Sequence, residues 1–200
     1  MKINRFIWQY IFALFFAVWV CISSNAYDEF VSNILRGVGF ALLIIGVIGR
    51  IYATIFIGGM KNEGVDGTKF IDYGAYSLCR NPLYLFSFIA FIGLLLLKAQ
   101  LSLLFVGVVF YLLIYHFTIL QEEAFLRGKF GKDFEEFLHH TSRFFPKFSN
   151  FHCPEKIEVR PKFLHIEFKR SVNWFLGALA LVIVELLHHY EILPNFIFAY

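Results

Sequence analysis

Charge is scarce in this sequence. Of 200 residues only 16% are charged, against 58% hydrophobic and 20% aromatic, and mean hydropathy is +0.64. A soluble domain is about half apolar and about a quarter charged. One small core cannot hide this much apolar surface, so an ordinary water-soluble globule is excluded and lipid must cover part of the chain. Cysteine is as sparse. Cys21, Cys79 and Cys153 lie far apart, with no metal-ligand or redox spacing, and read as structural. The seven histidines include His139-His140 and His188-His189, neither with companions at zinc-site spacing, so no metal centre is expected. The alternation of an outer-membrane barrel is missing too. Long apolar runs remain, and in lipid their backbone groups must be satisfied within the segment, which makes them helices.

Five runs reach or approach the ~20 residues that cross a bilayer. They span 6–22, 34–57, 82–97, 101–120 and 172–187. Only Lys98-Ala99-Gln100 separates the third from the fourth, a tight helical hairpin. The first run also fits a secretory signal: Lys2 and Arg5 precede it, and Ser24-Asn25-Ala26 resembles a cleavage site. Lys and Arg set the orientation. With the N-terminus inside, inner segments hold Lys61, Lys69, Arg80 and most of the basic residues of 121–170, while outer segments hold little beyond Arg36 and Lys98. Arg50, near the inner end of the second run, is expected to snorkel. Glu185, His188 and His189 are expected to reach the outer interface. The expected fold is an all-α polytopic transmembrane helical bundle of about five spans, with a multi-pass placement in a bacterial inner membrane.

The informative polar residues fall in two inner blocks. Block 58–84 is rich in glycine and turn residues and meets Pro82 at the start of the third run. Proline suits a helix's first turn, and the free amides of that helix N-terminus form a seat for a carboxylate or phosphate. Arg80 stands just before it. Block 121–148 opens on Glu122-Glu123, two carboxylates at a helix end that favours cations. A local rule broken in this way often marks a functional site. Phe125, Phe130, Phe134, Phe137 and Leu138 then follow at near-helical spacing, the pattern of an amphipathic helix lying on the inner surface and interrupted at Gly131.

Tyr73-Gly74-Ala75-Tyr76, Arg80-Asn81-Pro82-Leu83-Tyr84, Glu122-Glu123, Phe130-Gly131 and Arg143-Phe144-Phe145-Pro146 stand in an order that resembles the isoprenylcysteine carboxyl methyltransferase and phospholipid methyltransferase superfamily. The resemblance implies a cytosolic pocket for S-adenosylmethionine, roofed by the two blocks. It implies cofactor contacts from Tyr76, Asn81, Pro82, Leu83, Tyr84 and Glu122, and from the loop residues Thr68, Lys69, Phe70 and Ile71. Arg80 matches the family's arginine, which braces the loop or pairs with a carboxylate. The family's usual histidine after that arginine is Asn81 here. Asn still donates and accepts hydrogen bonds, but it offers no imidazole relay. Thr118 stands where prenylcysteine enzymes carry a substrate-binding arginine, which weighs against a prenylcysteine carboxylate.

Methyl transfer from a sulfonium is an in-line displacement, so the protein mainly aligns donor and acceptor and excludes water. A carboxylate acceptor needs no base, whereas an amine must first lose a proton. Arg80, Glu123 and His116 are therefore the catalytic candidates. A membrane lipid or lipidated small molecule is the expected substrate, with no nucleic-acid partner. The expected organisation is a methyltransferase core over 1–148, a basic inner-surface segment over 149–171, and an added helix and tail over 172–200. Membrane sterol reductases share an Arg-His-Pro-x-Tyr-like element but place an acid soon after the tyrosine, where this chain has Leu85-Phe86-Ser87-Phe88. A non-enzymatic membrane protein would need neither block.

Overall fold

A computed structural model describes residues 5–57 and 70–200. Among them the chain is almost wholly helical: α1 Arg5–Ile22, α2 Glu29–Ile57, α3 Ala75–Leu78, α4 Pro82–Leu96, α5 Leu101–Phe130, α6 Lys132–His140 and α7 Pro161–His189. Two three-residue strands complete it, β1 Ser23–Asn25 and β2 Ile197–Ala199. α2, α5 and α7 are long and apolar enough to cross a membrane, and α1 and α4 are shorter apolar helices. Residues such as Phe105, Leu113, Leu176 and Leu179 remain exposed on the outside of the bundle. An apolar belt of this size suits lipid rather than water.

α2 and α4 form the centre of the bundle because small residues let their backbones approach. A Cβ on Gly39 would lie 2.7 Å from the Gly93 carbonyl oxygen, and one on Gly46 would strike the backbone of Ala90. Leu43, Val47, Ala90 and Leu97 fill the core around this seam, joined by Ala178 and Leu181 from α7. α1 joins through rings: Phe12 stacks on Phe110 at 4.5 Å and meets Phe91 edge-on at 5.8 Å.

The hairpin between α4 and α5 is as tight as expected, with Ala99 at φ 54°. Its polar residues do not face water. Lys98 is fully buried against Glu185 of α7, whose other oxygen lies 2.7 Å from Arg36. Gln100 accepts a hydrogen bond from Trp19 at 2.8 Å. His188 is buried too, its Nε2 3.2 Å from the Val20 carbonyl. His188 is thus held inside this end of the bundle, contrary to the expectation that it reaches the interface, while Glu185 stays half-buried between its two cations. β2 closes the same end by pairing in parallel with β1, Ser23 opposite Ile197 and Asn25 opposite Ala199.

Two helices outrun their expected spans. α5 continues past Leu120 to Phe130 and carries both glutamates. It stops at Gly131, whose φ of 55° turns the chain into α6, the expected amphipathic helix. α7 starts at Pro161 rather than near Val172. Arg50 does not snorkel. It donates from Nε to Glu167 of α7 at 2.7 Å, inside the bundle.

Candidate functional site

The two polar blocks meet at the end of the bundle opposite β1 and β2. Gly74, at φ 61°, turns the chain into the single-turn helix α3, and a Cβ there would strike the Phe56 ring. α3 buries Tyr76 against Ala53 and Phe56 of α2. The tyrosine hydroxyl is fully enclosed and has no hydrogen-bond partner among the described residues. Burial drives its pKa well above the ordinary range, and Cys79 and Glu122 push it further up.

The chain then passes through Cys79, which is extended, and bends at Arg80 before Pro82, the first residue of α4. A strap over 141–147 lies along it. Arg80 N donates to Ser142 O at 2.9 Å, and Lys147 N donates to Leu78 O at 2.9 Å. Asn81 Nδ2 reaches the Arg143 carbonyl at 3.4 Å. Glu123, on the last turns of α5, binds both arginines, with Arg143 Nη2 at 2.8 Å and Arg80 Nη1 at 3.2 Å. One carboxylate thereby ties α5 to the strap and to the segment before α4. Burial lowers the pKa of Arg80, and Glu123 opposes that shift.

Glu122 faces the other way. It accepts the Tyr84 hydroxyl at 2.5 Å, the contact that joins the two blocks directly. Tyr84 opens a ladder of rings along α4 and α5: Tyr115 at 4.9 Å, then Tyr111 stacked on Tyr115 at 4.0 Å. Tyr111 donates its hydroxyl to the Tyr84 carbonyl at 2.9 Å, and Gln9 of α1 reaches the Tyr115 hydroxyl at 3.3 Å.

On the far side of the strap lies a cleft of about 1270 Å³ lined by Phe70, Ile71, Ser77, Phe137, Thr141 and His152, among others. Phe70 packs against Phe130 at the end of α5 and against Phe134 and Phe137 of α6, at 5.4, 5.5 and 5.2 Å. Histidines 139 and 140 also line this cleft, yet no group of three or more His, Cys, Asp or Glu is placed to hold a metal among the described residues.

Of the residues singled out in the sequence, Arg80, Asn81, Pro82, Leu83, Tyr84, Glu122 and Glu123 share one neighbourhood. Tyr76 is buried beside it, and Phe70 and Ile71 line the adjacent cleft. Thr68 and Lys69 lie outside the described residues. His116 is on the exposed side of α5, its ring against Phe117, and is not brought into the cluster. Sequence reasoning missed Tyr111 and Tyr115, although 111, 115, 118 and 122 recur at helical spacing on one face. It also gave Arg143 no role. Only the fold shows that this arginine shares Glu123.

The phospholipid methyltransferase family profile matches residues 30–133, just over half the chain. The chain is 28% identical over 192 residues to the nickel-cobalt-cadmium resistance protein NccN of Alcaligenes xylosoxydans xylosoxydans, covering 96% of this chain and 87% of that protein. It is 30% identical over 152 residues to the cobalt-zinc-cadmium resistance protein CzcN of Cupriavidus metallidurans, covering 76% of this chain and 67% of that one.

Proposed function

Because the chain belongs to the phospholipid methyltransferase family, we propose that it is a membrane-embedded transferase that moves a methyl group from S-adenosylmethionine to a lipid amine. The observation that carries the reading is the hydrogen bond from Tyr84 to Glu122, which brings the two motif blocks to one point.

The residues present suit the donor. Tyr76 offers an enclosed hydroxyl without a described partner beside Glu122. The first turn of α4 points the N-terminal end of a helix at this neighbourhood, which favours a carboxylate. Glu122 suits an ammonium or ribose hydroxyls, and the Phe70 cluster offers ring faces for a base. The cofactor supplies an electrophilic methyl on a sulfonium. The protein's part is to align that methyl with the acceptor and keep water out. The ring ladder Tyr84–Tyr115–Tyr111 gives the carboxylate an aromatic backing inside the bundle.

An amine fits this surface better than a carboxylate does. A carboxylate acceptor needs a cation, and the guanidiniums here are paired, Arg80 and Arg143 with Glu123 and Arg50 with Glu167, leaving only the buried Nε of Arg80 without a described partner. Aromatic faces beside a carboxylate suit an amine or ammonium. Glu123 is held by two arginines and His116 lies on the exposed side of α5, so Glu122, bonded to Tyr84, is the carboxylate left to draw a cationic headgroup toward the donor. Arg80 then acts by fixing Glu123 and the strap. The active site lies on the cytosolic side in this reading, as the distribution of Lys and Arg favours.

Tritiated S-adenosylmethionine and purified protein in vesicles containing phosphatidylethanolamine test the proposal. Label should pass to the lipid, and Glu122→Ala and Tyr84→Phe should each weaken cofactor binding by about tenfold or more, the worth of a hydrogen bond to a charged group. A wild-type protein that binds NADPH but not S-adenosylmethionine would overturn it. The names of the two relatives make growth in cobalt, cadmium, zinc or nickel the matching test in cells.

A further inference from the structure

Two acids of α7 pair with arginines of α2, one near each end of the helix, and of the two Glu167 is buried and Glu185 half-buried. Near β1 and β2, Glu185 binds Arg36 and Lys98. Near the site, Glu167 binds Arg50 at 2.7 Å and Arg170 at 3.4 Å, with its side chain only 3% exposed. An ionisable residue inside an apolar helix raises the question of function, and its partners decide which way the answer falls. Stability alone does not account for a buried pair, since apolar replacements are often as stable.

The pair near the site leads somewhere. Arg50 Nη1 donates to the Ser87 hydroxyl, and that hydroxyl donates to the Leu83 carbonyl at 2.5 Å. Leu83 lies between Pro82 and Tyr84 in the first turn of α4. A continuous relay therefore runs from α7 through α2 to the backbone that carries Tyr84. The enclosed Tyr76 hydroxyl is within electrostatic reach of Arg50, Glu167 and Glu122.

We infer that Glu167 and Arg50 are positioning residues that fix the first turn of α4, and hence Tyr84, for methyl transfer. α7 is then part of the working site although it lies outside the family-matched residues 30–133. This rests on the methyltransferase reading above. The relay sets how Tyr84 and the amides of α4 meet the cofactor, while Glu185, Arg36 and Lys98 only fasten α7 at its other end.

The test compares the two ends of one helix in the full chain, by the dissociation constant of S-adenosylmethionine, by kcat against KM, and by thermal melting. Glu167→Gln and Arg50→Lys should weaken cofactor binding on the order of tenfold or more, as small misplacements of a site do. Arg36→Gln should lower the melting temperature yet leave binding within about twofold, because distant sites act independently. Arg50→Lys keeps the charge, so it reads the same point if Glu167→Gln does not fold. The inference fails if Glu167→Gln and Arg50→Lys bind cofactor like wild type, or if Arg36→Gln loses binding equally. A wild-type protein that binds no S-adenosylmethionine sinks the methyltransferase reading itself, and that arm reports it separately.

Discussion

Glu123 is the residue on which the strap depends. It accepts from two guanidiniums, Arg143 through both Nε and Nη2, and its own side chain is 10% exposed. Glu123→Gln leaves two arginines facing a neutral amide. Breaking a buried pair costs about 3–5 kcal/mol, and the partial exposure of Arg143 brings this toward about 2 kcal/mol. A lower melting temperature and faster tryptic cleavage at Arg143 should report the released strap. Cys79 gives a second prediction. Burial pushes its thiol from 9.0 up to about 11, against the pull of the Asn81 amide. The folded state favours the neutral thiol, so this contribution is complete below pH 9 and is lost as pH rises toward 11. At neutral pH a maleimide should label exposed Cys153 and spare buried Cys79 until the chain unfolds, a difference mass spectrometry reads directly. The sequence made Arg80, Tyr84, Glu122 and Glu123 legible because each breaks a local rule or falls in a motif. It grouped His116 with Arg80 and Glu123, and the fold leaves that histidine on the exposed side of α5, because spacing along a helix does not say which side of it another helix covers.

Helix ends and helix contacts follow different signals. The α2–α4 seam depends on glycine. A Cβ on Gly46 or Gly93 would run into the backbone of the facing helix, whereas nothing lies within 4 Å of one on Gly37 or Gly128. Gly46→Ala and Gly93→Ala should therefore each destabilise by about 1–3 kcal/mol through overpacking. Gly37→Ala and Gly128→Ala should gain about 0.5–1 kcal/mol from helix propensity alone. Unfolding in mixed micelles would separate the two pairs. Hydropathy located the apolar centres of these helices but not their ends, since it registers only the part that lipid would cover. α5 stops where Gly131 takes a positive φ and α7 starts where Pro161 occupies its first turn. Both signals stood in the sequence, masked by the polar residues between them and the apolar runs.

The molecule has the two motif blocks at one end and a closure at the other. The closure is built from the chain's last residues. Phe196 N donates to Ile22 O at 3.1 Å and Ser102 N donates to Tyr200 O at 2.7 Å, which covers Ser23 and Gln100. Deleting residues 195–200 should lower the melting temperature and leave cofactor binding intact, because the site is at the opposite end. Loss of binding in that variant would mean that the two ends are coupled.

Composition by itself determined that this is a helical bundle solvated by lipid, because hydropathy is local and adds along the chain. The order of the motif residues determined which of them would gather. The tertiary structure alone decided what each buried charge binds. Lys98 meets Glu185 across 87 residues and Arg50 meets Glu167 across 117. A charge in an apolar helix declares that it needs a partner, but the partner is chosen by how the helices pack, and no local pattern encodes that choice.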